Sequence, residues 1–338
     1  MIQHEITSPT PLLDSEGNLR EPGYARQMHF KFNREQVVAK PFGLKEWDFY
    51  QIGLGKWLLQ LVIGHVSYMA NYSATLLSLE SGERHEFRRL QPFVMRNLPM
   101  PLDPNEPHEL RMSGRNYLME FVTEPERRTL RLVSGKKSSP VDIEIILPHI
   151  PRDEAMVIAT PFDKPGQFYL NCKEHFYGVT GHVRLGGKEV LATGQETALL
   201  DWGRGVWPFH QEWFWGCGSG FVNGGRFGFN IGWGFGDLSK ASENMFFWEG
   251  KAYKLGHLKV ERDPKNYMAP WHFVSDDGLF DMTMTPIFDN DTKTKVLFVD
   301  NRCHQVFGNF KGWAKLPDGQ VIKVENLLAF CEHAVNNW

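Results

Sequence analysis

The sequence predicts an all-β protein made of two antiparallel β-barrel or sandwich domains in tandem, and three observations predict it. Apolar and polar residues alternate with period 2 in segment after segment, long stretches with the 3.6-residue period of an amphipathic helix are hard to find, and a proline-rich segment separates two strand-rich halves of similar size.

In the first half, KWLLQLVIGHVSYMANYSATLLSLESGE has enough leucines to be argued as a helix. Val62, Ile63, Val66, Tyr68 and Tyr72, with Gly64 among them, favour one or two strands instead. NLPMPLDPNEPHE, residues 97–109, reads as a long loop because strand patterns resume on both sides. RNYLMEFVT, RTLRLVS, VDIEIIL and HFYGVTGHVRL then alternate cleanly, with turn chemistry such as SGK and LGGK between strands. LPHIPRDEAMVIATPFDKPGQ carries four prolines among charged residues. It sets the expected organisation: a first domain over residues 1–150, a linker over 151–166 and a second domain over 167–338. No clean internal repeat accompanies the two halves.

At 338 residues the chain can bury a core as two domains of about 150 residues or as one large β architecture. An apolar fraction of 42% and a charged fraction of 23% are globular values. The formal net charge of −3, with no long block of either sign, argues against a dedicated nucleic-acid binder and for a small or apolar partner. The start MIQHEITSPTPLLDSEG lacks the basic and apolar regions of a secretory signal, and no window reaches the roughly 18 apolar residues of a membrane span. Cys172, Cys217, Cys303 and Cys331 are widely spaced and form no CxxC, which reads as reduced thiols and a cytoplasmic location. Phosphate-loop, dinucleotide, zincin, esterase-elbow and EF-hand motifs are all missing, and none of the 13 histidines has a metal-ligand spacing, so no cofactor or metal is expected.

The informative stretch is residues 201–236, which opens with DWGRGVWP and holds 11 of the 32 glycines and 5 of the 11 tryptophans. Asp201 and Arg204 are close enough to pair across a glycine-containing turn. Such a pair would pin a loop, with Trp202 and Trp207 filling core. In the functional reading Asp201, lodged among Trp202, Trp207, Trp213 and Trp215, is desolvated and holds or delivers a proton near neutral pH, while Arg204 positions it. In FGFNIGWGFGD, Phe227, Phe229, Ile231, Trp233 and Phe235 fall on one strand face, with Asn230 the only functional side chain on a glycine-lined opposite face. A bare face admits a ligand, a crossing strand or a packed aromatic. The following loop gathers Asp237, Ser239, Ser242, Glu243 and Asn244 before a hairpin that turns near Glu249 and Gly250. Asp237 and Glu243 there are either a carboxylate pair for acid–base work or ordinary surface acids. His304, Gln305, Glu332 and His333 are polar groups among aromatics, a setting in which a histidine is usually a hydrogen-bonded core residue.

Taken together, DWGRGVWP, Trp213, Trp215 and Gly216, FNIGWGFGD, SEN, the YKLG ending at Gly256, the pair Pro270 and Trp271, HQVFG and the terminal CEHAVNNW resemble the domain-of-unknown-function 2804 family of bacteria. PLLDSEGNLREPGYA resembles the start of that family, so the likeness covers nearly the whole chain. The family is distantly similar to lipocalin-like proteins that include carotenoid hydratases and tocopherol-cyclase-like proteins. The resemblance implies two lipocalin-like (calycin) β-barrel domains with a pocket for a hydrophobic ligand, and an Asp, Trp, Gly, Arg cluster in the second half that matches Asp201 to Arg204.

Three functions are compatible with these residues. The first is a cofactor-independent hydratase, isomerase or cyclase acting on a small hydrophobic molecule. In it Asp201 and Arg204 are catalytic, Trp202, Trp213, Trp215 and Trp233 exclude water and stabilise positive charge, and Asn230, Asp237, Glu243, Asn244 and His304 contribute to binding. The second is a non-catalytic carrier or sensor of such a molecule, which needs the aromatic wall but not the acid. The third is a carbohydrate-binding or carbohydrate-active protein, since aromatics beside carboxylates and amides suit sugar faces.

Overall fold

The computed structural model describes residues 3–40, 42–95, 97–135, 140–296 and 299–337. Their regular structure is β-strand, apart from one 3₁₀ turn at Arg34–Gln36, so the all-β expectation holds. KWLLQLVIGHVSYMANYSATLLSLESGE forms two strands, Trp57–His65 and Met69–Ser78, as its β-branched and aromatic residues foretold.

Among the described residues three antiparallel sheets carry the chain, beside a two-stranded parallel pair of Thr10–Pro11 and Phe30–Lys31. The central sheet runs in spatial order Gly23–Ala25, Met156–Pro161, Phe168–Tyr177, Thr197–Val206, Leu44–Leu54, Trp57–His65, Met69–Ser78 and Arg84–Pro92. The outer sheet runs Lys188–Leu191, Thr180–Leu185, Val141–Pro148, Arg127–Ser134, Tyr117–Glu124 and His108–Gly114. The C-terminal sheet runs Lys251–Lys254, Met245–Trp248, Gly225–Trp233, His210–Val222, Val321–Asn337, Val299–Lys315, Phe280–Val296, Trp271–Ser275 and Leu258–Glu261.

Central and outer sheets form a sandwich around one apolar core, with Tyr50, Leu61, Ile63 and Trp202 from one side meeting Phe121, Leu130, Ile143 and Ile145 from the other. Burial reports which sheet is covered once and which twice. Val141–Pro148, in the outer sheet, is buried at every second residue, as in a sheet with one wet face. Thr197–Val206, in the central sheet, is buried at all but its first residue, because the C-terminal sheet covers its second face.

The C-terminal sheet curls into a half-barrel on a core of its own. Phe229 meets the Phe280 ring at 5.7 Å and Trp233 meets Phe273 at 6.2 Å across several intervening strands. Register shifts at Pro286/Phe288 and Phe310/Gly312 bend its three 17-residue strands, as β-bulges do. One end of these strands wraps the curled core while the other passes over the central sheet. Two further apolar clusters weld the two sheets: Met156, Tyr169 and Trp207 with Phe235, Met245 and Phe247, and Leu58, Leu77 and Leu199 with Trp215, Phe307 and Phe330.

The expected linker at 151–166 is not bare loop. It contains the strand Met156–Pro161, whose residues pair with Phe168–Tyr177 on one side and Gly23–Ala25 on the other. The sheets change hands later, between Val206 and His210. The loop at 97–109 is confirmed up to His108, where the strand His108–Gly114 begins. Buried arginines hold it: Arg204 donates to the Pro101 carbonyl at 2.9 Å and Arg128 to that of Pro104 at 2.7 Å.

Candidate functional site

A cavity of about 520 Å³ lies between the central and C-terminal sheets. Its volume is that of a site for one small organic molecule. At its closed end Trp47, Tyr169, Trp207, Trp213, Trp215 and Phe235 surround four ionisable groups, Lys173, Asp201, Glu243 and Glu332.

Strand alternation places two of these groups. Lys173 and Asp201 are paired residues on adjacent strands, so both side chains leave the same face of the central sheet. Their neighbours Cys172 and Trp202, also paired, point into the sandwich core. Glycines then supply room. A Cβ on Gly203 would stand 2.1 Å from Trp47 Cζ2, so Gly203 admits that indole, and one on Gly205 would stand 2.5 Å from the Phe168 carbonyl oxygen and 3.0 Å from Trp207 Nε1, so Gly205 makes room for both. A Cβ on Gly232 would stand 2.8 Å from Glu243 Oε2, so the bare face of FGFNIGWGFGD is filled by the Glu243 carboxylate.

Glu332 arrives from the facing sheet, paired with Trp215 across the ladder between Val321–Asn337 and His210–Val222. Trp213 Nε1 donates to Glu332 Oε1 at 2.9 Å. Lys173 Nζ is 2.9 Å from Glu243 Oε2 and 4.6 Å from the Trp215 ring centre. Asn171 Nδ2 donates to Asp201 Oδ1 at 2.5 Å. Glu243 Oε1 is buried and has no hydrogen-bond partner among the described residues.

The electrostatics follow from this crowding. Burial pushes the Glu332 carboxyl from 4.5 up to about 7; the Trp213 hydrogen bond and the Lys173 charge pull it back while Asp201 adds to the rise. Burial also raises Asp201, against the opposing pull of Lys173 and the Asn171 hydrogen bond. For Lys173 burial acts downward, but Glu243 and Asp201 outweigh it and the ammonium is held above its usual range. The closed end therefore holds a firm cation, a paired carboxylate and two acids that keep protons more tightly than ordinary carboxyls.

Several sequence expectations are relocated. Asp201 and Arg204 do not pair across a turn: they lie in one strand three residues apart, which puts them on opposite faces. Arg204 is fully buried in the sandwich, 2.9 Å from Asp48 Oδ1 and 3.4 Å from Glu46 Oε1, with its guanidinium 4.0 Å from the Trp202 ring centre. Arg204 and Trp202 thus sit away from the cavity, in the core between central and outer sheets. Asn230 stands behind the wall, accepting from Trp215 Nε1 at 2.7 Å and donating to the Glu243 carbonyl at 2.9 Å. Asn244 accepts from the Gly232 amide at 3.0 Å. Trp233 stacks on Phe214 at 5.1 Å on the half-barrel side. Phe235 leaves the expected wall, because the strand ends at Trp233 and Gly234, with φ of 91°, redirects the chain toward the cavity. Asp237 is exposed and caps the Ser239 amide at 2.9 Å. His304 stacks on Tyr267 at 3.9 Å and bonds Asp289 at 2.8 Å, away from the cavity.

Of the residues expected at the site, Asp201, Trp213, Trp215 and Glu243 line it together. Lys173, Trp47 and Tyr169 were missed, and Glu332 was noticed without a role. The signal for Lys173 and Tyr169 was present in FYLNCKEHFY, where Tyr169, Asn171 and Lys173 alternate with core residues.

Fold and site together define a class: an all-β protein whose aromatic cavity encloses acids between two sheets. The chain belongs to the family described as domain of unknown function (DUF2804), whose model matches residues 3–338. Among solved structures it is similar to a protein provisionally assigned as AttH from Nitrosomonas europaea, at 11% identity and TM-score 0.49 over 90% of this chain and 95% of that one. It is also similar to kievitone hydratase from Nectria haematococca, at 10% identity and TM-score 0.47 over 88% of this chain and 89% of that one. A search of curated proteins by sequence gives no match.

Proposed function

We propose that the protein is an acid–base enzyme that hydrates, isomerises or cyclises a small molecule whose reacting part is apolar, and that the reaction takes place at the closed end of the cavity. The arrangement of Glu332 and Asp201 carries this reading: two carboxyls of raised pKa face one aromatic-walled space. Glu332 delivers a proton to an alkene carbon or a carbonyl oxygen. Asp201, once ionised, takes a proton from the water that adds or from the carbon that loses one. Lys173 stabilises the carboxylate left on Glu332, and the indole faces of Trp47, Trp213 and Trp215 stabilise positive charge on the substrate while excluding bulk water. Glu243 fixes Lys173, and Arg204 acts as a structural anchor of the sandwich. In this reading the sandwich of residues 3–206 and the half-barrel of residues 210–337 are two lipocalin-like units, and their shared interface is the site.

The test is a comparison of wild type with Glu332→Gln on a bacterial metabolite extract, followed by mass spectrometry. Wild type should deplete one or a few species, with a product 18 mass units heavier for hydration or of unchanged mass for isomerisation or cyclisation, and Glu332→Gln should slow this at least 100-fold. A species bound at equal affinity by both proteins and converted by neither would make the protein a carrier instead.

A further inference from the structure

The open end of the cavity has a different chemistry from the closed end. Asn71, Ser73 and Thr75 face it from one strand of the central sheet, and Asn290, Thr292 and Asn301 from the C-terminal sheet opposite. The alternation is regular: residues 71, 73 and 75 share one face of Met69–Ser78, whereas Tyr72 and Ala74 between them fill the sandwich core. Both walls thus present neutral groups that donate and accept hydrogen bonds, with Arg84 and Arg88 also lining this end.

One of these groups is left waiting. Asn71 Nδ2 donates to Ser73 Oγ at 3.0 Å, while Asn71 Oδ1 is buried and has no hydrogen-bond partner among the described residues. A buried acceptor of this kind is costly unless a donor from a ligand or water reaches it. The arginine charges at this end are partly offset by one carboxylate. Glu86 lies between Arg84 and Arg88, 2.8 Å from Arg88 and 3.9 Å from Arg84, and Arg84 also donates to Asn290 Oδ1 at 3.3 Å.

We infer that the ligand carries a glycosyl or similarly polyhydroxylated group at the open end, joined to the apolar part that enters the closed end. Hydroxyls are the group that matches two walls of mixed amide and hydroxyl chemistry, since each both donates and accepts. A wholly apolar ligand would desolvate these walls without replacing their hydrogen bonds. This inference rests on the cavity being the ligand site proposed above, and names the class of molecule it takes.

The test uses phenyl β-D-glucopyranoside, phenol and phenyl phosphate as probes, with binding to the full-length protein read by calorimetry and tryptophan fluorescence. The glucoside should bind at least ten-fold more tightly than phenol, and Asn71→Leu should remove most of that preference while leaving phenol affinity within two-fold. Thr292→Val, on the other wall, should weaken the glucoside several-fold and serves as the independent variant if Asn71→Leu does not fold. No binding of the glucoside, equal affinity for glucoside and phenol, a preference unchanged in both variants, or tighter binding of phenyl phosphate would each overturn the inference. Because binding is read without turnover, Glu332→Gln should retain the glucoside preference. A preference in a protein that converts nothing would leave this inference standing and remove the enzymatic reading, whereas turnover of a purely apolar substrate without the preference would do the reverse.

Discussion

Glu332 and Arg204 show how the fate of a buried ionisable group depends on the partners around it. Arg204 is surrounded by compensation: carboxylates of Asp48 and Glu46, and carbonyls of Pro101, Trp47 and Gly203. Glu46 answers in kind, with its carboxyl held down to about 2: burial would raise it, but hydrogen bonds from His65 and Arg34 and the Arg204 charge win. Glu332 has hydrogen bonds from Trp213 and the Cys303 thiol but no paired cation in contact among the described residues, so burial wins and the proton stays. Removing Arg204 leaves buried carboxylates short of a partner, so Arg204→Leu should cost about 3–5 kcal/mol of stability in urea denaturation. A loss of activity with stability unchanged would return Arg204 to the catalytic role expected from the DWGR motif.

Secondary-structure elements explain which parts of the site were legible. The outer-sheet strands were read directly from their alternation because one face is wet. Thr197–Val206 was harder, because it is covered on both faces and its glycines look like turn residues. Gly203 and Gly205 instead make space for rings from beside the strand, which no local pattern announces. The same difficulty bears on the boundary expected at 151–166. Pro148 and Pro161 mark strand ends, where a missing N–H is tolerated, so two of the segment's four prolines record strand ends. Lys173 became visible as a partner of Asp201 only through strand pairing within the central sheet, and Glu332 only through the packing of the C-terminal sheet over it. Gly232 gives the element-scale prediction: Gly232→Ala should displace Glu243 from Lys173 and lower activity about ten-fold or more, with the half-barrel core still folded, as read by turnover and near-ultraviolet circular dichroism. Full activity in Gly232→Ala would mean that the Glu243 position does not matter.

For the whole molecule, the cavity exists because a curled sheet rests on an already complete sandwich. Two apolar clusters seal the contact, and the ionisable groups sit beside them in space that neither sheet encloses alone. That placement links the proton on Glu332 to global stability. The folded carboxyl holds its proton up to about pH 7, whereas the unfolded one releases it near 4.5. Between those values the folded state binds more protons, so this contribution is full below pH 4.5 and is lost as pH rises to 7. Glu332→Gln should therefore gain stability relative to wild type across that window. The most direct measurement of the central claim is the titration of the Glu332 carboxyl in the intact protein, by carbon-13 NMR of glutamate-labelled chain with Glu332→Gln to assign the signal. The account predicts a midpoint within about one unit of pH 7, matched by the pH at which turnover falls. A midpoint near 4.5 would leave Glu332 ionised at neutral pH and contradict its role as the proton donor.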